Sequence, residues 1–142
     1  MRTADTLEPI EPHLRGAADF DPVADLVVRG WPLTVDGLLS NANATRERFS
    51  FRGRPLAAIS ADMTMPGWSL TEILAGQRLR TRSRYATASV AFLVGDGFEL
   101  LPSFRAPHYS VVFDPYTSER VRRLLDLFGE VRANPHHVRR WP

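Results

Sequence analysis

The chain has 142 residues, 44% of them hydrophobic, which is enough for one globular domain with its own core and short for two. It contains neither cysteine nor lysine, excluding disulfides, thiolate-held zinc, iron–sulfur clusters, thiol nucleophiles and the lysine of a Walker phosphate loop. The formal charge is only +2, no apolar run approaches the roughly 20 residues of a membrane-spanning helix, and the opening residues lack the apolar centre of a secretory signal, so a cytoplasmic setting is expected.

All eighteen basic residues are arginine, a usage that a GC-rich bacterial genome favours. Whatever its origin, each guanidinium stays charged and presents a planar fork of donors suited to carboxylate or phosphate. Their placement is uneven. Residues 1–25 hold six acids and two arginines, whereas residues 46–84 hold eight arginines and three acids. An acidic leader folded back on a basic middle is the simplest consequence, and separate faces for different partners is the other.

Residues 1–20, with Pro9 and Pro12 and no sustained periodicity, read as an acidic, loosely structured arm. Asp21-Pro22, followed by Val23, Leu26 and Val27 at i, i+3, i+4 and by Gly30, predicts a short helix. Thr34 caps a second through Val35, Leu38 and Leu39, with Gly37 and the NANAT run leaving its far end open. RFSFRGRPLAAIS alternates about Phe49 and Phe51 and turns near Gly53, predicting a hairpin. Ser69 and Glu72 have capping-box spacing, Trp68 and Ile73 sit where a hydrophobic staple closes, and Gly76 ends that helix. In ATASVAFLVGDGFELLPSF the unbroken apolar stretch from Val90 to Val94 favours a short helix behind Ser89 over a hairpin about GDG. HYSVVF reads as a buried strand. Asp114-Pro115 opens a last helix over 115–128, where Val121, Leu124, Leu125 and Phe128 form an apolar stripe.

These elements predict an α+β fold, a single domain with a small, mostly antiparallel sheet and helices packed on one face. The globular part is expected over residues 21–131, and residues 132–142 form a basic C-terminal tail.

Arg78, Arg80, Arg82 and Arg84 stand at every second position. In an extended segment their guanidiniums would share one side at a rise of roughly 6.5 to 7 Å, matching phosphates along a nucleic-acid strand. The leading functional reading is therefore a non-enzymatic binding module for a phosphate-bearing partner such as nucleic acid, with Trp141 beside Arg139 and Arg140 as an added stacking contact. Charged side chains guarding a sheet edge would account for the same row, and an acidic protein partner, as in an immunity or antitoxin-like factor, would also fit it.

His108 and Ser110 lie two apart in an apolar strand and face the same side. His-Tyr-Ser resembles one half of the paired His-x-Ser/Thr pattern of the 2H phosphoesterases, which implies His108 as acid or base and Ser110 as a substrate-orienting group in a small enzyme acting on a phosphodiester or nucleotide. The other histidines, His13, His136 and His137, stand in no second copy of that pattern. A strand followed by SLTEILAG and a basic run is similar to the opening of ADP-ribosyltransferase-type toxins, but the chain has neither Glu-x-Glu nor Gln-x-Glu. GDGFEL lacks the third glycine of a dinucleotide fingerprint, and His136-His137 has no carboxylates at ligand spacing, so neither a cofactor nor a metal is expected.

Overall fold

Short alternating stretches must each hide one face, and in the computed structural model, which describes residues 9–16 and 20–138, they do so mainly in one antiparallel sheet. In chain order the elements are β1 (Leu26–Gly30), α1 (Val35–Arg48), β2 (Ser50–Phe51), β3 (Arg54–Pro55), β4 (Ala58–Met63), α2 (Leu70–Ala75), β5 (Arg84–Ser89), α3 (Val90–Gly95), β6 (Glu99–Leu101), β7 (His108–Val112), α4 (Ser118–Leu127) and β8 (Arg132–Ala133). Among the described residues the main sheet has six strands in the order β6-β7-β4-β1-β5-β8, while β2 and β3 pair separately as a hairpin. The fold is α+β, as the order of elements predicts.

Strand alternation divides the sheet into two unlike faces. On one, Val27, Ile59, Met63, Tyr109 and Val111 are buried under Leu38 and Ala42 of α1, Leu93 of α3, and Val121 and Leu124 of α4. That is the main core. On the other, Val28 and Tyr85 are covered by Ile73 and Leu74 of α2 together with Leu79, and at the far side Leu56, Ala58 and Leu101 pack with Leu14 and Phe49. Between these two covers the middle of β4 and β7 carries polar side chains.

The helix expected from Asp21 to Gly30 is instead a turn followed by β1. Asp21 Oδ1 accepts the Val23 amide at 2.9 Å, closing the turn, and residues 26–30 enter the sheet between β4 and β5. Adjacent β-branched Val27 and Val28 serve opposite faces of a central strand, and tertiary pairing overrides an accidental helical spacing. α1 continues through the NANAT run to Arg48 because Leu38 and Ala42 anchor one side of it in the core. The capping box at α2 forms as predicted: Ser69 Oγ accepts from Glu72 N at 3.2 Å and Glu72 Oε1 from Ser69 N at 3.1 Å. α3 is a helix, although the Ser89 hydroxyl makes no capping bond. α4 starts at Ser118 rather than at Pro115, since Thr117 Oγ1 accepts the Arg120 amide at 3.2 Å and sets the N-cap there.

Candidate functional site

In β4, Ala-Ile-Ser-Ala-Asp-Met, and β7, His-Tyr-Ser-Val-Val, every second residue belongs to the main core, so Ser60, Asp62, His108 and Ser110 share the opposite face. The ladder register sets Ser60 across from Ser110 and Asp62 across from His108. Two polar pairs thus form a square in the centre of the sheet. Asp62, His108 and Ser110 are 2%, 4% and 4% exposed. Burying such groups costs free energy that a Val or Leu in the same place would not. Sequence reading found His108 and Ser110 but missed Asp62, although the Ser60-x-Asp62 alternation was the available signal.

His108 is oriented from behind. Its Nδ1 lies 3.1 Å from the Ser103 carbonyl oxygen and 2.9 Å from Ser103 Oγ, which in turn is 2.7 Å from Ser110 Oγ. A carbonyl only accepts, so Nδ1 carries the proton and Nε2 keeps its lone pair. Burial, and secondly the Arg78 charge, lower the imidazole pKa to about 4, keeping it neutral near pH 7. Burial acts on Asp62 in the opposite sense, raising its pKa, while Arg78 counteracts it. Arg78 Nε stands 3.4 Å from Asp62 Oδ1, and that oxygen makes no aligned hydrogen bond among the described residues.

The arginine stretch does not form an extended ribbon. Residues 77–81 fold in turns, with the Arg80 amide donating to Gly76 O at 2.9 Å and the Arg82 amide to Leu79 O at 2.9 Å, and only Arg84 belongs to β5. Leu79 causes this by entering the cluster beneath α2. Buried Asn134 then secures the loop, its Nδ2 donating to the carbonyls of Leu74, Leu79 and Arg82 at 3.1, 3.0 and 3.2 Å. The four arginines consequently diverge. Arg78 turns onto Asp62, Arg82 lies over Gly30, Arg84 stacks on Trp31 at 4.6 Å, and Arg80 is exposed.

Arg78 and Arg82 meet a third guanidinium that sequence reading did not single out. β1 stops pairing with β4 after Val28 and Asp62, and α1 fills the split: Asn41 Oδ1 accepts Ser60 N–H at 2.9 Å and an Arg29 Nη1–H at 3.1 Å, while Arg29 Nη1 also donates to Ser60 O. Arg29, Arg78 and Arg82 line a cavity of about 370 Å³, and no Asp or Glu is among its described lining. Burial first, then Arg82 and Arg78, lower the Arg29 pKa to about 10. Its buried Nε has no hydrogen-bond partner among the described residues.

Two further cavities adjoin the first through Arg78. One, of about 300 Å³, is lined by Thr45, Ser60, Phe104, His108 and Ser110, and the other, of about 360 Å³, by Trp68, Ile73, Phe104, Pro107 and His108. The structure therefore brings Arg78, Arg82, His108 and Ser110 to one cleft, leaves Arg80 and Arg84 outside it, and does not describe Trp141. None of His13, His136 and His137 lines these cavities, and the residue facing His108 across the ladder is Asp62, so the half-motif shared with the 2H phosphoesterases gains no second histidine here. Among the described residues no three His, Asp or Glu side chains cluster to hold a metal ion, and no helix is long and apolar enough to cross a membrane.

The fold is an α+β domain with adjoining, arginine-lined cavities against the centre of its sheet. Compared with known proteins, the chain matches no family model, no curated protein and no solved structure.

Proposed function

We propose that this protein binds a phosphate-bearing ligand in the cleft centred on Arg78. The observation that carries the reading is the cavity where Arg29, Arg78 and Arg82 converge with no carboxylate among its described lining, Arg78 alone of the three meeting an acid, Asp62 at 3.4 Å, among the described residues. Three like charges around one space repel, which adds to burial in lowering the Arg29 pKa, and a dianion among them removes that repulsion. Convergence on a cavity suits a small phosphate compound, or the terminal phosphate of a strand, better than the flank of a nucleic acid. Thermal-shift and calorimetric titration with inorganic phosphate and pyrophosphate at low salt test this directly. Both should stabilise the wild type, and Arg82→Gln should weaken binding roughly tenfold, the scale of one charge-assisted hydrogen bond. Indifference of the wild type to both anions would refute the reading.

A second reading, a small enzyme on a phosphodiester, is favoured by the neutral His108, whose Nε2 has no hydrogen-bond partner among the described residues, in a cavity that Arg78 also lines. In that reaction Nε2 takes a proton from water as the oxygen bonds to phosphorus, the ester P–O bond breaks, and the same proton passes to the departing oxygen. Arg78 stabilises the charge gathering on the phosphoryl oxygens, and Ser110 orients the ester. His108→Gln should then abolish turnover on a phosphodiester panel while leaving phosphate binding within a few-fold of wild type. Turnover that survives the substitution would exclude His108 as the base.

A further inference from the structure

The three cavities adjoin in series, with the most arginines at one end and the most aromatic wall at the other. The arginine cavity shares Asn41, Ser60 and Arg78 with the middle one, and the middle one shares Phe104, His108 and Arg78 with the third. The first is cationic. The middle one carries the hydroxyl and amide groups of Asn41, Thr45, Ser60 and Ser110 together with Arg48, Arg78 and His108, beside Phe49, Leu56 and Phe104. The third is walled by Trp68, Ile73, Phe104 and Pro107, with Gln77, Arg78, Arg105 and His108 as polar groups beside them.

Phe104 stands at the junction of the last two spaces, in a backbone conformation that side-chain-bearing residues rarely adopt, with φ of 59°. Its amide donates to His13 O at 2.7 Å, and its ring meets His108 edge-on at 5.1 Å and Phe49 at 5.3 Å. A left-handed aromatic residue is held at some cost in free energy, and such cost is characteristic of ligand sites. What the conformation achieves is an aromatic wall shared by the polar and apolar cavities.

Resting on the phosphate reading above, we propose that the ligand is a nucleoside phosphate, its phosphate between Arg29 and Arg82, its sugar over Ser60 and Ser110, and its base against Trp68 and Phe104. Anion, hydroxylated ring and flat apolar ring follow in the same order in the molecule as the matching surfaces do in the groove. Aromatic walls with amide and guanidinium groups beside them suit a base, which has a π face and a polar edge to bond them, whereas an acyl chain offers those groups no acceptor. Sequence-tolerant stacking on aromatic side chains is a general means of holding a base, with Arg78 at the junction able to meet either the phosphate or the base plane.

Calorimetric titration of the full chain at low salt with inorganic phosphate, ribose 5-phosphate, adenosine monophosphate, guanosine monophosphate and octyl phosphate separates the contributions. At least one nucleotide should bind roughly tenfold or more tightly than ribose 5-phosphate. Phe104→Leu should remove that advantage while leaving inorganic phosphate within twofold of wild type. Because this substitution touches a strained position, saturation-transfer NMR on the wild type supplies a second readout, with the base protons expected to receive the strongest transfer. Nucleotides binding no better than ribose 5-phosphate, while inorganic phosphate still binds, would overturn the base site and leave the anion site standing. Octyl phosphate binding more tightly than both nucleotides would replace the base with an aliphatic group, and failure of every phosphate compound would remove both readings.

Discussion

Asp62 is a buried carboxyl group whose burial raises its pKa, and Arg78, 3.4 Å away, does not hydrogen-bond the facing oxygen in line. Arg78 is half exposed and keeps water if its partner is lost. Asp62→Asn should therefore unfold at no lower urea concentration than wild type at pH 7, and a loss of 2 kcal/mol or more would make the pair structural. His108 gives a pH dependence of definite sign. Its folded pKa of about 4 lies below the ordinary 6.5, so its contribution is present above pH 6.5 and is lost as pH falls through the folded value. The difference amounts to about 3 kcal/mol across that window. Asp62, with a raised pKa, works the other way, contributing below its unfolded value and losing that contribution as pH rises through the folded one. Urea titrations from pH 7 to pH 4 should show His108→Gln losing less stability than wild type, and parallel losses would exclude a buried neutral imidazole. At Gly30, an added Cβ would stand 2.7 Å from Arg82 Cγ and 3.1 Å from Leu79 Cδ2. Gly30→Ala should accordingly keep the fold and weaken phosphate binding by displacing Arg82.

At the level of elements, α4 and the Asn134 clamp do different work. Val121 and Leu124 are fully buried against the main core, so Leu124→Ala should cost about 2 to 5 kcal/mol in urea unfolding. A cost below 1 kcal/mol would mean that α4 is not seated as described. Asn134 touches no ligand cavity, yet it holds three carbonyls around the Leu79–Arg82 loop, and the neighbouring Asn134 amide donates to Ser83 O at 2.8 Å. Asn134→Ala should cost about 1 to 3 kcal/mol through the unsatisfied carbonyls and should also weaken phosphate binding, because Arg78 and Arg82 lose their fixed approach. Unchanged phosphate affinity in that variant would show that the arginines find the anion without the clamp. The capping box at Ser69 and Glu72 was legible in advance because its donors and acceptors lie within one turn. The start of α4 was not, since Pro115 and Thr117 both make acceptable openings and only the observed Thr117 bond distinguishes them.

Across the whole molecule, the charge that looked linear in the sequence is divided, Arg78 and Arg82 turning to the cleft and Arg80 and Arg84 away from it. Four arginines on an extended ribbon would give single-stranded DNA a log–log salt slope near −3, whereas the two of that row that face the cleft, Arg78 and Arg82, give about −1.4. Fluorescence titration of an oligonucleotide over a salt series distinguishes the two, and a slope near −3 would restore the ribbon. The sequence by itself determined the α+β class, the caps of α1 and α2, the apolar stripe of α4, the buried β7 strand and the shared side of His108 and Ser110. Each of these follows from a period of 2 or 3.6 or from bonds within a single turn, quantities that neighbouring residues set between themselves. Only the tertiary structure decided that Leu26–Gly30 is a strand, that residues 77–81 turn around Leu79, that Asp62 faces His108 and that Arg29 joins Arg78 and Arg82. Those outcomes depend on which strands become neighbours and on where a buried leucine finds its cover, and free energies of that kind are shared among segments far apart in the chain.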